Sequence, residues 1–341
     1  MSVRVEWDDA VVIGEGENRL VLDPQSERPS SSKVFVTHAH MDHARAFSFL
    51  NQTKICTKET LDLMLAVRAR PITNVRLIQY GEEARFNDVS VTCRNSGHIL
   101  GSSLYEVATP EGTVVYTGDL NFSKGFTTQP ASVTPCDILV IEATFGSPSF
   151  VFPSRRALSF QMISWARDCM KRGRLPVLQA DHVGNAQEIT SAFNLFSEIP
   201  VVSDPRVTRV TRAYKACGHD LAQVSASSKE GVRLLRSRQC VLVAPKNSDF
   251  AAFPDLELAL ASGWAVLVGR SRRAFALSDH SDFPHLLEYV KAVGPKLLYT
   301  CFGGGFNETF SRLVEKRCGI KARPLERTSR ESSEDPPGLR H

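Results

Sequence analysis

Over the first 145 residues, apolar and polar positions alternate in short runs. Residues 89–93, 103–107 and 113–116 alternate between apolar and polar positions at period two, which is the period of a β-strand with one face buried. Two further runs, residues 34–36 and 138–141, are apolar throughout, as expected for strands that are buried on both faces. This part of the chain is therefore predicted to be built on β-sheets.

From residue 147 the pattern changes to one in which helices alternate with strands. Leu158, Met162, Trp165 and Cys169 recur at three-to-four spacing, which predicts an amphipathic helix. Strands alternating with helices are typical of parallel βαβ units. We therefore place an inserted α/β domain at residues 147–268.

The flanking segments complete the predicted domain organisation. Residues 1–146 and 269–325 form one domain that the insertion interrupts, and the polar residues 326–341 form a disordered tail. Near the end of the insertion, we predict a helix over residues 255–261 and a strand over residues 265–268.

Three imidazoles and a carboxylate follow the apolar run at 34–36 within six residues, as His38, His40, Asp42 and His43. Alternate side chains of an extended chain point the same way, so His38 and His40 share a direction. Neutral imidazole suits zinc, and burying so many polar groups without a partner is costly. The run predicts a metal site, with Asp42 and His43 placed to reach a second ion.

Other predicted strands also end in polar side chains. His98 lies in a glycine-flanked turn, Asp119 follows the strand at 113–116, and Glu142 ends the strand at 138–141. His280 comes directly after the inserted domain. A site is often assembled from strand ends along one sheet edge, so we expect these residues to converge.

Composition narrows the class of protein. Charged residues make up 23% and hydrophobic residues 42% of the 341 positions, which is typical of a globular protein. The net charge of +4 is compatible with a nucleic-acid partner but does not require one. Eight scattered cysteines without a Cys-x-x-Cys pair indicate neither a zinc ribbon nor a disulfide framework. The N-terminus lacks an apolar signal region and no apolar run is long enough to span a bilayer, so we expect a cytoplasmic protein with no membrane partner.

These motifs, in this order, resemble the nuclease branch of the metallo-β-lactamase fold. The motifs are His-x-His-x-Asp-His at 38–43, Gly-His-Ile-Leu-Gly at 97–101 and Thr-Gly-Asp at 117–119. Residues 142–146 look like motif A of the β-CASP subgroup, and residues 278–282 look like its motif B. Within the subgroup the chain is most similar to ligase-associated exonucleases and to archaeal proteins labelled as messenger-RNA 3′-end-processing-factor-like exonucleases. The resemblance implies an α/β fold, an αββα metallo-β-lactamase sandwich with an inserted α/β β-CASP domain.

The resemblance also implies roles for single residues. The first zinc ion would be held by His38, His40, His98 and Asp119, and the second by Asp42, His43 and Asp119. Metal binding lowers the pKa of water from 15.7 towards roughly 7, which would make a metal-bridging hydroxide the nucleophile that attacks the phosphodiester. The implied catalytic residues are Asp42, His280 as the acid for the leaving oxygen, and Glu142 as the group that orients His280. Asp23 matches the first motif of the family, and either orients a ligand or is structural.

One departure from the family pattern concerns the second ion. RNA-cleaving members carry a further metal-binding His where residues 300–303 here read Thr-Cys-Phe-Gly. Phe302 cannot bind a metal, and Cys301 is either a ligand or a buried structural residue. Because DNA-directed members also lack this His, the resemblance implies a weaker second site, with Mn²⁺ or Mg²⁺ as alternatives to zinc. It also makes DNA at least as good a candidate substrate as RNA.

The cleft between the two predicted domains is the expected substrate site. Gly184 at a predicted helix start, with Arg155, Arg270 and Arg272 at the domain junctions, are candidate contacts to a phosphate backbone. The implied partner is single-stranded DNA or RNA, and the likeness to ligase-associated exonucleases adds a DNA ligase or another repair protein.

Two other functions remain open from the sequence. Small-molecule hydrolases such as β-lactamases and lactonases share the first motifs, although the insertion favours a polymeric substrate. A non-catalytic scaffold is the second alternative, because some β-CASP proteins have lost their ligands. The sequence leaves open whether cleavage starts at an end of the substrate, and from which end.

Overall fold

The computed structural model describes residues 3–29, 32–68, 71–250, 255–267 and 273–326. Arg270, Arg272 and all but the first residue of the predicted disordered tail lie outside these ranges. Within the described ranges, no helix combines the length and the apolar character needed to cross a bilayer. All eight cysteines are free thiols.

The described chain contains three β-sheets and seven α-helices, together with short 3-10 turns. The strands are β1 Val5–Trp7, β2 Val11–Ile13, β3 Leu20–Leu22, β4 Lys33–Phe35, β5 Lys54–Cys56, β6 Val75–Leu77, β7 Glu83–Phe86, β8 Val89–Asn95, β9 Ser103–Thr109, β10 Gly112–Tyr116, β11 Ile138–Glu142, β12 Leu175–Gln179, β13 Val201–Ser203, β14 Val224–Ser225, β15 Val241–Ala244, β16 Leu256–Ala261, β17 Ala274–Phe275, β18 Leu297–Cys301 and β19 Lys321–Pro324. The helices are α1 Lys58–Val67, α2 Arg155–Lys171, α3 Asn185–Phe196, α4 Pro205–Ala216, α5 Lys229–Ser237, α6 Phe283–Val293 and α7 Phe306–Cys318.

Two mixed sheets form the first layer pair. One sheet has the order β1-β2-β3-β4-β5-β6, and the other has the order β19-β18-β11-β10-β9-β8-β7. Apolar side chains from both, among them Phe35, Tyr105 and Val140, pack into one shared core. The alternating and fully apolar runs predicted as strands are therefore confirmed, because each has its buried face in this core or in the helix layers outside it.

Helices cover the outer face of each sheet. Helix α1 contributes Leu63 and Met64 to the core on the first sheet. Helices α6 and α7 cover the second sheet through residues such as Leu286 and Phe310. The layer order is helix, sheet, sheet, helix, which confirms the predicted αββα sandwich.

The third sheet is parallel throughout and has the order β14-β13-β15-β12-β16-β17. Helices α2 and α3 share an apolar core with it, and α5 packs against its other face through Leu235. All of its strands come from residues 175–275. The inserted α/β unit is thus confirmed, whereas its limits at 147 and 268 stay a prediction.

Two local predictions within this unit are wrong. Residues 256–261 form strand β16, not a helix, because the segment pairs in parallel with β12 and buries Ala259 and Ala261, two positions apart, in the core of the unit. The strand predicted from residue 265 is a 3-10 turn over Gly263–Leu267, as far as that segment is described. Strand β17 occupies the place beside β16, so this segment is left outside the sheet.

Candidate metal centre

The carboxyl ends of several strands meet at one edge of the sandwich. His38 follows β4, Asp119 follows β10, and His98 lies in the turn between β8 and β9. One ligand atom from each of His38, His40, His98 and Asp119 lies within 4.8 Å of the other three. The predicted residues therefore converge, and we call this cluster the first position.

Hydrogen bonds fix the ring orientation of His38 and of His43, which lies beside the cluster. The Thr37 hydroxyl donates to Asp23 at 2.7 Å, so it accepts a hydrogen bond from Nδ1 of His38 at 3.0 Å. Nδ1 of His43 donates to the same Asp23 carboxylate at 2.7 Å. In both rings Nε2 is left facing the cluster, buried and without a hydrogen-bond partner. Such partners on the far side of the ring are typical of metal-binding histidines.

The other two rings are oriented by main-chain carbonyls. His98 donates from Nδ1 to the Asp279 carbonyl at 2.9 Å, and His40 donates from Nε2 to the Val183 carbonyl at 3.2 Å. The remaining nitrogens, Nε2 of His98 and Nδ1 of His40, are 2.9 Å apart. With these tautomers the two nitrogens present lone pairs to each other, which a cation between them would satisfy.

Asp119 joins this first position to a second group. Its Oδ2 lies 3.3 Å from Nε2 of His38 and 3.5 Å from Nε2 of His98. Its Oδ1 lies 3.3 Å from Nε2 of His43. The two oxygens of the carboxylate thus face different imidazoles, Oδ2 those of His38 and His98 and Oδ1 that of His43.

Protonation of these groups follows from burial and from their neighbours. Burial, with repulsion from His43, lowers the pKa of His38 to about 3, and burial holds the pKa of His98 well below its usual range. Burial opposes the charged form of His43 too, but the carboxylates of Asp119 and Asp23 outweigh it and raise its pKa. Metal binding requires neutral imidazole, so His38 and His98 are in the binding form.

The second position, formed by Asp42, His43 and Asp119, is less complete. The Asp42 side chain is 71% exposed and its carboxylate lies 4.0 Å from Nε2 of His43. The Phe302 ring packs on the His43 ring with centroids 4.3 Å apart, and its backbone has a φ of +54°, which is rare for a bulky residue. Cys301 is buried, and its sulfur lies 3.5 Å from the Ile141 carbonyl. Four donor side chains therefore converge on the first position, whereas the second includes an exposed carboxylate on the Asp42 side.

The donors present fit a divalent cation at the first position. The unpartnered Nε2 of His38, the facing lone pairs of His40 and His98, and the Asp119 carboxylate match the ligand types that zinc takes in proteins. The fold and this cluster together support the use of divalent metal.

His280 and Glu142 form a pair beside the cluster. Nδ1 of His280 donates to Oε1 of Glu142 at 2.8 Å, and Nε2 of His280 lies 3.8 Å from Oδ2 of Asp119. Glu142 is completely buried and also accepts the Leu120 N–H at 2.9 Å, which fixes its orientation. Burial opposes the charged form of His280, but Glu142 and Asp119 outweigh it and raise the pKa of His280 to about 10.

The centre opens into a cavity of about 400 Å³ between the sandwich and the inserted unit. His182, Asn185 and Lys246 line it from the inserted unit, opposite the histidine cluster. Gly184 is less available than expected, because its N–H donates to Oε1 of Gln187 at 2.8 Å. A Cβ there would lie 2.3 Å from Oδ2 of Asp279, so the glycine is needed for close packing. Its phosphate contact stays a prediction.

Several residues that orient the metal-binding histidines were not predicted from the sequence. Val183 and Asp279 act through carbonyls, which leave no side-chain signal, and Thr37 is an ordinary residue beside His38. Asp279 lies within the 278–282 motif, which was the one usable clue. Arg155 is mostly buried and bridges Glu188 at 2.9 Å and the Ser278 carbonyl at 2.9 Å, so it joins the two units.

Comparisons with known proteins agree with this geometry. The sequence signature described as a beta-lactamase superfamily domain matches residues 7–177, half of the chain. A protein of Opitutus terrae named a probable DNA ligase is 29% identical over 85% of this chain and 28% of its own length. The RNase J-like protein of Methanocaldococcus jannaschii is 29% identical over 56% of this chain and 51% of its own length. RNase aCSPSF2 of Saccharolobus solfataricus is 27% identical over 53% and 45%.

A solved structure from Enterococcus faecalis, described as a protein of unknown function, shares the fold. It superposes with a TM-score of 0.63 at 13% identity, covering 88% of this chain and 94% of that one. The chain spans about half or less of the length of the three curated relatives named above. Together with the sandwich, the inserted parallel unit and the clustered motifs, the matches show that the chain belongs to the β-lactamase superfamily, in its β-CASP group of metallo-β-lactamase-fold proteins.

Proposed function

We propose that this protein is a zinc-dependent nuclease that hydrolyses phosphodiester bonds of single-stranded DNA or RNA from a chain end. The observation that carries the proposal is the carboxylate of Asp119, whose Oδ2 faces His38 and His98 and whose Oδ1 faces His43, beside the His280–Glu142 pair. Two matched relatives are named as ribonucleases and a third as a probable DNA ligase, which supports nucleic acid as the substrate class.

His38, His40, His98 and Asp119 would hold the first zinc ion, and Asp42, His43 and Asp119 a more weakly bound second one. When bound, the cations would lower the pKa of water towards roughly 7 and neutralise charge on the phosphate. Mn²⁺ or Mg²⁺ are the alternatives, chiefly at the second position, where an exposed carboxylate is a harder ligand than imidazole.

The side chains of the protein supply the rest of the chemistry. His280 presents Nε2 to the cavity and gives a proton to the leaving oxygen. Glu142 accepts the Nδ1 hydrogen of His280, which keeps the ring turned toward the cavity. Asp23 and Thr37 bind Nδ1 of His43 and of His38, which turns Nε2 of each ring toward the cluster.

The position of the cavity supports a polymeric substrate. The cavity lies between two structural units and takes in residues of both, so a nucleic-acid chain bound between the units would reach the centre. A DNA ligase or another repair protein is the proposed partner, on the likeness to the Opitutus terrae protein.

Digestion of labelled oligonucleotides tests the proposal. Single-stranded DNA and RNA, each labelled at the 5′ or the 3′ end, are incubated with protein loaded with Zn²⁺, Mn²⁺ or Mg²⁺, beside a chromogenic β-lactam. We expect shortening of at least one nucleic acid from one end, abolished by a chelator, with little turnover of the β-lactam.

His40→Ala and Asp42→Ala separate the catalytic account from a scaffold. Equal rates for both variants and the wild type would contradict catalysis at this centre. Rapid turnover of the β-lactam with intact nucleic acids would favour the small-molecule hydrolase.

A further inference from the structure

An exposed tryptophan lies in the wall of the cavity that holds the metal cluster. Trp264 is 43% exposed and lines the cavity together with His40, Asp119 and His280. By contrast, Trp165 is only 9% exposed and lies in a core. Ligand sites are typically lined by aromatic side chains together with a few polar groups, so this surface is a candidate contact for a ligand.

The ring is held from behind by other aromatic side chains. Its centroid lies 5.0 Å from that of Phe145, 5.6 Å from Phe150 and 6.3 Å from Phe306. Gly263 lets the backbone of this turn lie against Phe145, because a Cβ at that position would be 2.4 Å from Cζ of Phe145. The indole is therefore a fixed surface, and little conformational entropy is lost when a ligand packs on it.

Trp264 is also close to the reacting centre. Phe145 contacts both Trp264 and His280, with its centroid 5.8 Å from the His280 ring. Lys246 lines the same cavity and brings a positive charge, although it lies 3.8 Å from Asp181. A flat apolar surface, a cation and the metal cluster within one cavity match the base, the phosphates and the scissile bond of a nucleotide chain.

We propose that Trp264 is a stacking site for an unpaired nucleobase next to the phosphate that is cleaved, an inference that rests on the proposed function. Every base has a π face, so stacking here accepts any sequence, and it requires that the base is free of a Watson–Crick partner. The site would thus select single-stranded ends over paired ones.

Binding measured without cleavage tests this inference. Metal-loaded protein is titrated against fluorescent single-stranded DNA and RNA with phosphorothioate linkages, which resist hydrolysis, and anisotropy gives the dissociation constant. A set of the same strands carries one abasic site at each position in turn. Trp264→Ala is compared with Trp264→Phe, and Phe160→Ala is the matched control, since Phe160 is 48% exposed but outside the cavity.

We expect Trp264→Ala to weaken binding roughly 5- to 100-fold, the range found for stacking residues, with Trp264→Phe near the wild type. One abasic position should weaken binding to the wild type by a similar factor, and should have no further effect in Trp264→Ala. Thermal unfolding of each variant confirms that it is folded.

Unchanged binding in Trp264→Ala, or a loss equal to that of Phe160→Ala, overturns the stacking site while the nuclease proposal stands. A loss in Trp264→Ala that no abasic position reproduces also overturns it. If the wild-type protein binds neither DNA nor RNA, the stacking site and the proposed function both fail.

Discussion

At the first candidate metal position four side chains converge, whereas at the second Asp42 is exposed and Phe302 packs against His43. Three of the four residues at the first position are buried, and each of the three histidines donates its other nitrogen to a hydroxyl or a carbonyl. Only His43 has comparable support at the second position, through Asp23.

This difference leads us to expect that the two positions bind a cation with different affinities. A preorganised site loses little entropy on binding and keeps its ligands deprotonated, so it binds a cation tightly. A site that must recruit an exposed carboxylate binds more weakly. We therefore expect the two positions to respond differently to each of the following changes.

Removing the shared ligand should have the largest effect. Asp119→Ala takes an oxygen from both positions, so we expect both cations to be lost and the cleavage rate to fall at least roughly a thousandfold, since a metal supplies several kcal/mol of charge stabilisation. Metal analysis and cleavage of labelled strands measure both. Asp181→Ala, in the same cavity but outside the cluster, is the control. Full metal content with wild-type activity in Asp119→Ala would refute a shared ligand.

Changing the candidate acid should slow cleavage without emptying the first position. We expect His280→Gln to lower the rate about a hundred- to a thousandfold, as for other general acids, with Glu142→Gln giving a smaller loss through the same ring. On a nucleotide ester with a p-nitrophenyl leaving group, which needs no proton, the loss should shrink. If His280→Gln instead releases the first cation, His280 is a ligand and not the acid.

Changing Asp23, which accepts the hydrogen bond from Nδ1 of His43, should weaken metal binding at the second position more than at the first. Asp23 accepts four hydrogen bonds, from the Thr37 N–H and hydroxyl, the Tyr116 hydroxyl and Nδ1 of His43. Asp23→Asn puts an amide N–H into this set, so we expect a loss of about 2–3 kcal/mol in the free energy of unfolding. The second cation should bind about 10- to 100-fold more weakly.

Calorimetry and metal titration of Asp23→Asn give the two quantities. Asp88→Asn, at an exposed position, is the matched control. Wild-type stability and metal affinity in Asp23→Asn would show that Asp23 plays no part in holding His43.

Adding a ligand at the second position should have the smallest effect. Histidine tolerates a positive φ better than most residues, so Phe302→His should fit the backbone and offer a nitrogen beside His43. We expect the second cation to bind about tenfold more tightly, or by about 1.4 kcal/mol. Phe302→Leu, which adds no ligand, is the control. Equal affinities in the two variants would mean that the ring is not what limits this position.

The sequence was most informative where the pattern is local. Alternation at period two identified the strands of the sandwich, and polar residues at their ends identified the cluster, because neighbouring strand ends share a sheet edge. The helix predicted over residues 255–261 was wrong. Leu, Glu and Ala are strong helix formers, but pairing of this segment with β12 overrode that preference.

The carbonyl groups that orient His40 and His98 could not be predicted, because they lie far from these histidines in the chain. The Val183 carbonyl reaches His40 from 143 positions away in the chain, and the Asp279 carbonyl reaches His98 across 181. Trp264 was not predicted as a residue of the cavity for a related reason. It precedes residues that look like a strand, and only the fold shows that this segment is a turn in the cavity wall.

The number of zinc ions that the purified protein keeps tests the asymmetry most directly. Zinc-saturated protein is dialysed against increasing concentrations of a mild chelator, and the metal remaining is measured per chain. We predict two steps, in which the ion at the second position leaves well before the ion at the first position and about one ion per chain is kept between them. Two ions held equally tightly, or none held at all, would contradict the account.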